Sequence, residues 1–260
     1  MNPCGELLKR WRGVRNVSQL QLATEAGVSA RHVSFIESGR SRPSREMVLT
    51  LAEALDVPLR ERNALLEAAG FAPVFRESPL DDARLADVLR SLETVLERMD
   101  PYPCVVMDHL WAVLRANAAA MRLFAHFLPL ELAEPPLNLV RLLFHPRMRE
   151  HIRNWQQIAP SFANQLQREV LAGDEEAKAL LDEVLRQPGV PAQWRSVDLD
   201  RELPSIVPLV LQKDSLRLSL FTMVSTLGTP LDVTLQQLRI ESYLPADAES
   251  HAALQRLSEG

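Results

Sequence analysis

Between Ser18 and Arg42 the chain reads SQLQLATEAGVSARHVSFIESGRSR, a stretch whose hydrogen-bonding and cationic side chains recur at spacings two short helices can present outward. Ser18 is placed to N-cap the first helix by accepting from its first-turn amides. Gln19 then sits where side chain and helix dipole can both meet a phosphate. Leu22, Ala23 and Ala26 form the buried face, with alanines small enough to let a second helix cross closely. Gly27 falls where the chain leaves the first helix, a position suited to left-handed backbone. A second helix starts at Ser29. Val28, Val33 and Ile36 give it an inward stripe, Ala30, Arg31, Ser34 and Phe35 face out, and Gly39 stops it. This order of caps, small residues and outward donors is that of a helix-turn-helix that reads DNA.

Charge agrees with that reading. Residues 6 to 45 hold eight basic residues against three acidic ones, a net of +5 in a chain whose total is −5, which leaves −10 for the rest. A basic head on an acidic body is the distribution expected when one face meets nucleic acid. The other classes find less support. His145 and His151 lie six apart, neither a helical pair nor a zinc spacing, and the remaining histidines are scattered. There is no Cys-x-x-Cys and no phosphate-cradling glycine loop. Acid pairs such as Asp81-Asp82 and Glu175-Glu176 fall at expected helix starts, where the helix dipole accounts for them. No catalytic residue and no metal ligand is therefore assigned. Cys4 and Cys104 read as separate reduced thiols. No signal-peptide pattern and no run of about eighteen apolar residues occurs, so the expected location is the cytoplasm, without a membrane partner.

The elements that must position these groups follow from periodicity. Ser44 caps a fourth helix carrying Val48, Leu51, Ala52 and Leu55, and Pro58 opens a fifth through Ala69, closed by Gly70. A linker leads to a helix from Asp81 to Met99. Beyond Pro101 the period changes: strands are expected at 102–107 and 110–114, and a helix from Asn117 to Phe127. Helices then follow at 138–144, 148–171 and 174–186, and strands at 206–212, 217–226 and 233–241. Residues 1–75 thus form an all-α five-helix domain, 76–100 a linker and coupling helix, and 101–260 an α+β domain. Two strands, several helices and three strands in meander give the connectivity of a PAS-like five-stranded antiparallel sheet with helices on one face.

Ser18-Gln19, Leu22-Ala23, Gly27-Val28-Ser29, Ile36-Glu37 and Gly39 resemble the Xre, lambda-repressor-like, family. The resemblance implies a double-stranded DNA operator, with Ser29, Ala30, Arg31 and Ser34 at base edges and Gln19, Arg40 and Arg42 positioning phosphates. It also implies that Arg12 is the family's buried-pair arginine, holding Glu37 against the first helix. Phe35 departs from the long polar residue usual there. It either touches a thymine methyl or packs inward and reads nothing.

Pro103-Cys104-Val105-Val106-Met107, Trp111, Asn117, Asn138-Leu139, Phe144-His145-Pro146, Asn154-Trp155, the run Gly228 to Leu235, and Ile240-Glu241-Ser242 with Pro245-Ala246-Asp247 resemble the ligand-binding domain of the MmyB-like regulators, in order, over roughly residues 80 to 250. That resemblance implies a sensor fused to a DNA reader, with a cavity for a fatty acid or similar apolar small molecule and no other cofactor. On a PAS-like sheet the candidate walls are Val105, Met107, Trp111, Val113, Leu123, Phe124, Phe127, Phe144, Trp155, Leu220 and Phe221. The candidate polar anchors are Arg115, Asn117, His145, Arg149 and Asn154, an arginine being suited to a carboxylate. Aromatics at such spacing also build ordinary cores, Asn117 and Asn154 also cap helices, and His145 before Pro146 also holds a turn. The leading expectation is a ligand-responsive regulator acting as a homodimer, paired through the sheet, the coupling helix or both. The alternative is a constitutive repressor whose C-terminal domain only dimerises, and it requires a filled interior.

Overall fold

The computed structural model describes residues 3–129, 132, 136–195 and 206–259. Its contacts group into two compact units, Met1–Asp82 with Gly228–Gln236, and Ala83–Leu227 with Gln237–Gly260.

The first unit holds the five expected helices, α1 (Pro3–Val14), α2 (Gln19–Glu25), α3 (Ala30–Glu37), α4 (Arg45–Ala54) and α5 (Leu59–Ala68). Ser18, Ser29 and Ser44 each adopt extended backbone and accept from the amide three residues on, and each such cap contributes about 1 kcal/mol. Ser18 and Gln21 complete a reciprocal capping box. Gly27 and Gly39 turn the chain out of α2 and α3 at φ of +67° and +75°, where a side chain would be strained. Leu22, Ile36, Val48, Leu51, Leu65 and Leu66 are fully buried between the helices.

Helix α5 differs, because Pro58 at its N-cap makes no side-chain cap. Gln236 supplies one from far along the chain, its Oε1 accepting from the Leu59 amide at 2.7 Å. Around it the segment Gly228–Gln236 is tied to residues 76–78 of the same unit. The Val233 amide donates to the Arg76 carbonyl at 2.8 Å, and Thr234 Oγ1 donates to the Ser78 carbonyl at 2.7 Å. Asp232 Oδ1 accepts from the amides of Thr234 and Ser78, and Val233 is fully buried. The strand expected at 233–241 is thus replaced by a short helix, α12 (Val233–Gln237), followed by a strand at Arg239–Pro245. Asp232 caps that helix by accepting from the Thr234 amide, a signal the strand reading passes over.

The second unit contains α6 (Ala86–Arg98) and a five-stranded sheet of β1 (Cys104–Met107), β2 (Val113–Ala116), β3 (Leu209–Lys213), β4 (Leu216–Ser225) and β5 (Arg239–Pro245). The sheet is antiparallel throughout, in the order β2-β1-β5-β4-β3. Between β2 and β3 lie α7 (Ala118–Phe127), α8 (Leu139–Phe144), α9 (Pro146–Arg149), α10 (Trp155–Ala172) and α11 (Glu175–Leu185). The helix expected from 148 to 171 is broken, since the intervening chain pairs with β3: the Arg153 amide donates to the Val210 carbonyl, and Gln212 donates to the carbonyl of His151. The second strand begins later than expected because Trp111 turns the chain at φ +60°. Helix α13 (Ala248–Glu259) was not anticipated from the sequence, although Asp247 accepts from the Ser250 amide at its start.

These units shift the expected boundaries. Residues 76–82 group with the helical head, α6 groups with the sheet, and Gly228–Gln236 leaves the C-terminal region for the head.

Candidate functional site

In the first unit, Ser29 and Arg31 are exposed and Ala30 and Ser34 half-exposed along one side of α3, with Arg40 and Arg42 exposed beyond its end. Burial of Val33 and Ile36 on the opposite face fixes this presentation. Phe35 supplies what its sequence position left open. Its ring centroid lies 5.1 Å from the Arg31 guanidinium carbon and 5.8 Å from that of Arg40, so one aromatic ring meets both cations. Each such contact contributes about 0.5–1 kcal/mol at an exposed site.

The expected pair beneath α3 is present. Arg12 Nε donates to Glu37 Oε1 at 2.8 Å, a second nitrogen donates to Oε2, and a third to the Val17 carbonyl. The Glu37 side chain is 4% exposed, and the bonded carboxylate holds the Arg12 guanidinium pKa up. Gln19 also donates to Glu37 Oε2, at 2.7 Å. Its side-chain amide therefore serves the ion pair.

In the second unit, a cavity of about 330 Å³ lies between the sheet and the helices. Phe124, Phe127, Leu142, Ile158 and Phe162 wall it from α7, α8 and α10, and Leu209 and Leu211 from β3. Its polar lining includes Thr222, Glu241 and Tyr243 from β4 and β5, with Gln157 and Ser161 from α10. Glu241 is 4% exposed and accepts from the Tyr243 hydroxyl at 3.0 Å. Burial pushes its carboxyl pKa up to about 7, and burial likewise raises the Tyr243 hydroxyl well above its ordinary value.

Of the residues singled out as ligand contacts, Leu123, Phe124 and Phe127 line this cavity and the others do not. The reasons are local. Phe221 is displaced by pleat: its neighbours Leu220 and Thr222 share the face of Tyr243, which turns Phe221 to the opposite side. Arg115 pairs with Val106 on that opposite side and is exposed. Val105 and Met107 are fully packed core, and Trp111 is buried with its ring 5.8 Å from that of Phe162. Asn117 is structural: Oδ1 accepts from Cys104 and Ala120, and Nδ2 donates to the carbonyls of Leu96 and Tyr102. Phe144 packs edge-on against Trp155 and Trp194, and Trp155 donates to the Leu143 carbonyl. His145 caps α9 through its imidazole.

Arg149, Asn154 and Trp155 do come together, lining a separate, more open hollow with Arg153 and Gly189. Arg149 lies 4.5 Å over the Trp155 ring and donates to the Pro188 carbonyl, while Asn154 pins β3 through Pro208 and Val210. Ile152 and Gln157 border both spaces.

Glu241 and Tyr243 are the functional candidates the sequence reading missed. Their alternation in Arg239–Pro245 gives the signal, once that segment is known to be a strand facing a cavity. Cys4 and Cys104 are buried, and desolvation pushes Cys4 up to about 11, which leaves that thiol unreactive. Among the described residues no group of three His, Cys, Asp or Glu could hold a metal ion, and no helix is long and apolar enough to cross a membrane.

A family profile described as helix-turn-helix matches residues 8–62, and one described as MmyB-like transcription regulator ligand binding domain matches residues 88–257. Both are domains of transcription regulators rather than enzymes. A search of curated proteins finds no match. With a helix-turn-helix head followed by a sheet domain that encloses an apolar cavity, the chain belongs to the MmyB-like family of DNA-binding transcription regulators with a ligand-binding domain.

Proposed function

We propose that this regulator binds a small apolar molecule, fatty-acid-like in size and shape, in the cavity between β3–β5 and helices α7, α8 and α10, and that occupancy changes its hold on an operator. The observation that carries the reading is the cavity itself, about 330 Å³ of largely aliphatic and aromatic wall in a domain that could otherwise have packed solid. A C-terminal domain serving only to dimerise has no use for such a space, which disfavours a constitutive repressor.

Connectivity supplies the route for modulation. Strands β4 and β5 carry Thr222, Glu241 and Tyr243 on the cavity wall, and the chain joining them, Gly228–Gln236, belongs to the DNA-binding unit. A ligand that favours one arrangement of β4 and β5 biases the segment that caps α5. It shifts the DNA-binding equilibrium by no more than its differential affinity for the two arrangements.

At the operator, Ser29, Ala30, Arg31 and Ser34 read base edges, while Arg40, Arg42 and the α2 end at Gln19 position phosphates. The protein acts as a cytoplasmic homodimer, because half-sites about one helical turn apart need two recognition helices. Mass spectrometry of an organic extract from the denatured full chain, quantified against protein, tests the cavity reading. One apolar species near one per chain is expected, and its removal should change operator affinity. A chain that neither carries nor takes up an apolar molecule, with DNA affinity indifferent to any added, would overturn it.

A further inference from the structure

The cavity wall contains an acid where the expected ligand would need a base. Among the described lining residues none is basic, and the most buried polar group is Glu241. Across the sheet Glu241 faces Val105 on β1 and Val224 on β4, so no cation stands opposite it on either neighbouring strand. Its Oε2 accepts from Tyr243, whose hydroxyl proton is thereby committed, and among the described residues its other oxygen takes no protein hydrogen bond. The titratable groups that bear on it are Tyr243 and the Cys104 thiol, both raised by burial, whereas Arg239, two residues back on the same face of β5, has Glu169 as its charge partner. A buried acceptor left open toward an apolar space is costly unless something entering that space donates to it.

We infer that the ligand of this cavity carries a hydrogen-bond donor, a hydroxyl or an amine, that meets the Glu241–Tyr243 pair, rather than a free carboxylate. The inference rests on the cavity being a ligand site and assigns the polar group of the molecule that fills it. A carboxylate at this wall would face a second acid across a medium that screens poorly. An alcohol or ammonium supplies the missing donor, and the ammonium would in addition pair with an ionised Glu241. The competing place for an acidic head is the hollow lined by Arg149 and Arg153, next to the cavity across Ile152 and Gln157.

Decan-1-ol, decylamine and decanoic acid share one chain length and differ at the head, so titrating each calorimetrically into the full-length protein at pH 8.5, where Glu241 is ionised and only accepts, separates these possibilities. The alcohol, the amine or both should bind at least about tenfold tighter than the acid, the ratio a single hydrogen bond to a charged group supports. Glu241→Leu should remove that preference. Glu241→Gln, which keeps an acceptor and loses the charge, should retain it for the alcohol and lose it for the amine, telling a neutral donor from a cation. Should Glu241→Leu fail to fold, the wild-type ranking and Glu241→Gln decide. Tightest binding by the acid, weakened by Arg153→Gln and not by Glu241 substitution, would overturn the inference and place the head in the arginine hollow. Equal binding of all three would overturn it as well. If none of the three binds, the cavity reading itself fails.

Discussion

Arg31 and Glu37 occupy the same short helix and separate recognition from support. Arg31 is exposed and steadied by the Phe35 ring, so on the proposed reading Arg31→Ala removes a base contact without opening the core. The expected outcome is a loss of about 1–3 kcal/mol of sequence discrimination, seen as relaxed preference in competition footprinting. Arg40→Ala should instead weaken all sequences together and flatten the salt dependence. Glu37 is 4% exposed and anchors both Arg12 and Gln19, so Glu37→Ala strands a half-buried guanidinium. A drop of about 1–3 kcal/mol in stability is expected before any change in specificity, measured by thermal unfolding. A variant as heat-stable as the parent would show that the pair contributes nothing. Phe35 shows why one residue could be read two ways: its type supplies an aromatic ring, and only the positions of Arg31 and Arg40 show what that ring meets.

Elements were legible wherever caps and periodicity agreed. Ser18, Ser29 and Ser44 mark starts, Gly27 and Gly39 mark exits, and the helices between them lie where expected. Two strands followed by helices and three more strands gave the sheet. Legibility failed where tertiary contact decided. The break between α9 and α10 follows from pairing with β3, and Val233–Gln237 is helical, with Val233 buried, because residues 76–78 and Leu59 receive it. The cavity wall was legible only at Leu123, Phe124 and Phe127, for a related reason: aromatic residues such as Phe144 and Trp155 pack against one another, whereas the cavity is walled mainly by aliphatics whose empty neighbourhood leaves no trace in the sequence. Asp232 tests the docked segment. Asp232→Ala deletes an acceptor for the Thr234 and Ser78 amides and should cost about 1 kcal/mol, read as faster hydrogen exchange at Thr234 and at the Leu59 amide. Unchanged protection at both amides would argue that the segment holds without it.

For the molecule as a whole, the buried carboxyl of Glu241 sets a dependence on pH. Its folded pKa is raised from 4.5 to about 7, so the folded state holds a proton that the unfolded chain releases. Its contribution to stability is fully present below pH 4.5 and is lost as pH rises through about 7, by about 3 kcal/mol at most. Glu241→Gln should therefore gain on the parent as pH rises from 5 to 8 in chemical denaturation; a constant difference would place the ionisation elsewhere. Charge divides the chain in a related way, with the basic excess confined to residues 6–45, which carry α2 and α3, and the acidic excess beyond them, which favours approach to DNA by that segment. The last consequence concerns synthesis. The head's final segment, Gly228–Gln236, follows the 145 residues of Ala83–Leu227, so at about 5–20 residues per second the ribosome completes the head only some 7–30 s after releasing its five helices. A transcript broken within the ligand-binding domain yields a nascent head without the glutamine that caps its fifth helix, so a chain with its whole head has already made most of its ligand-binding domain.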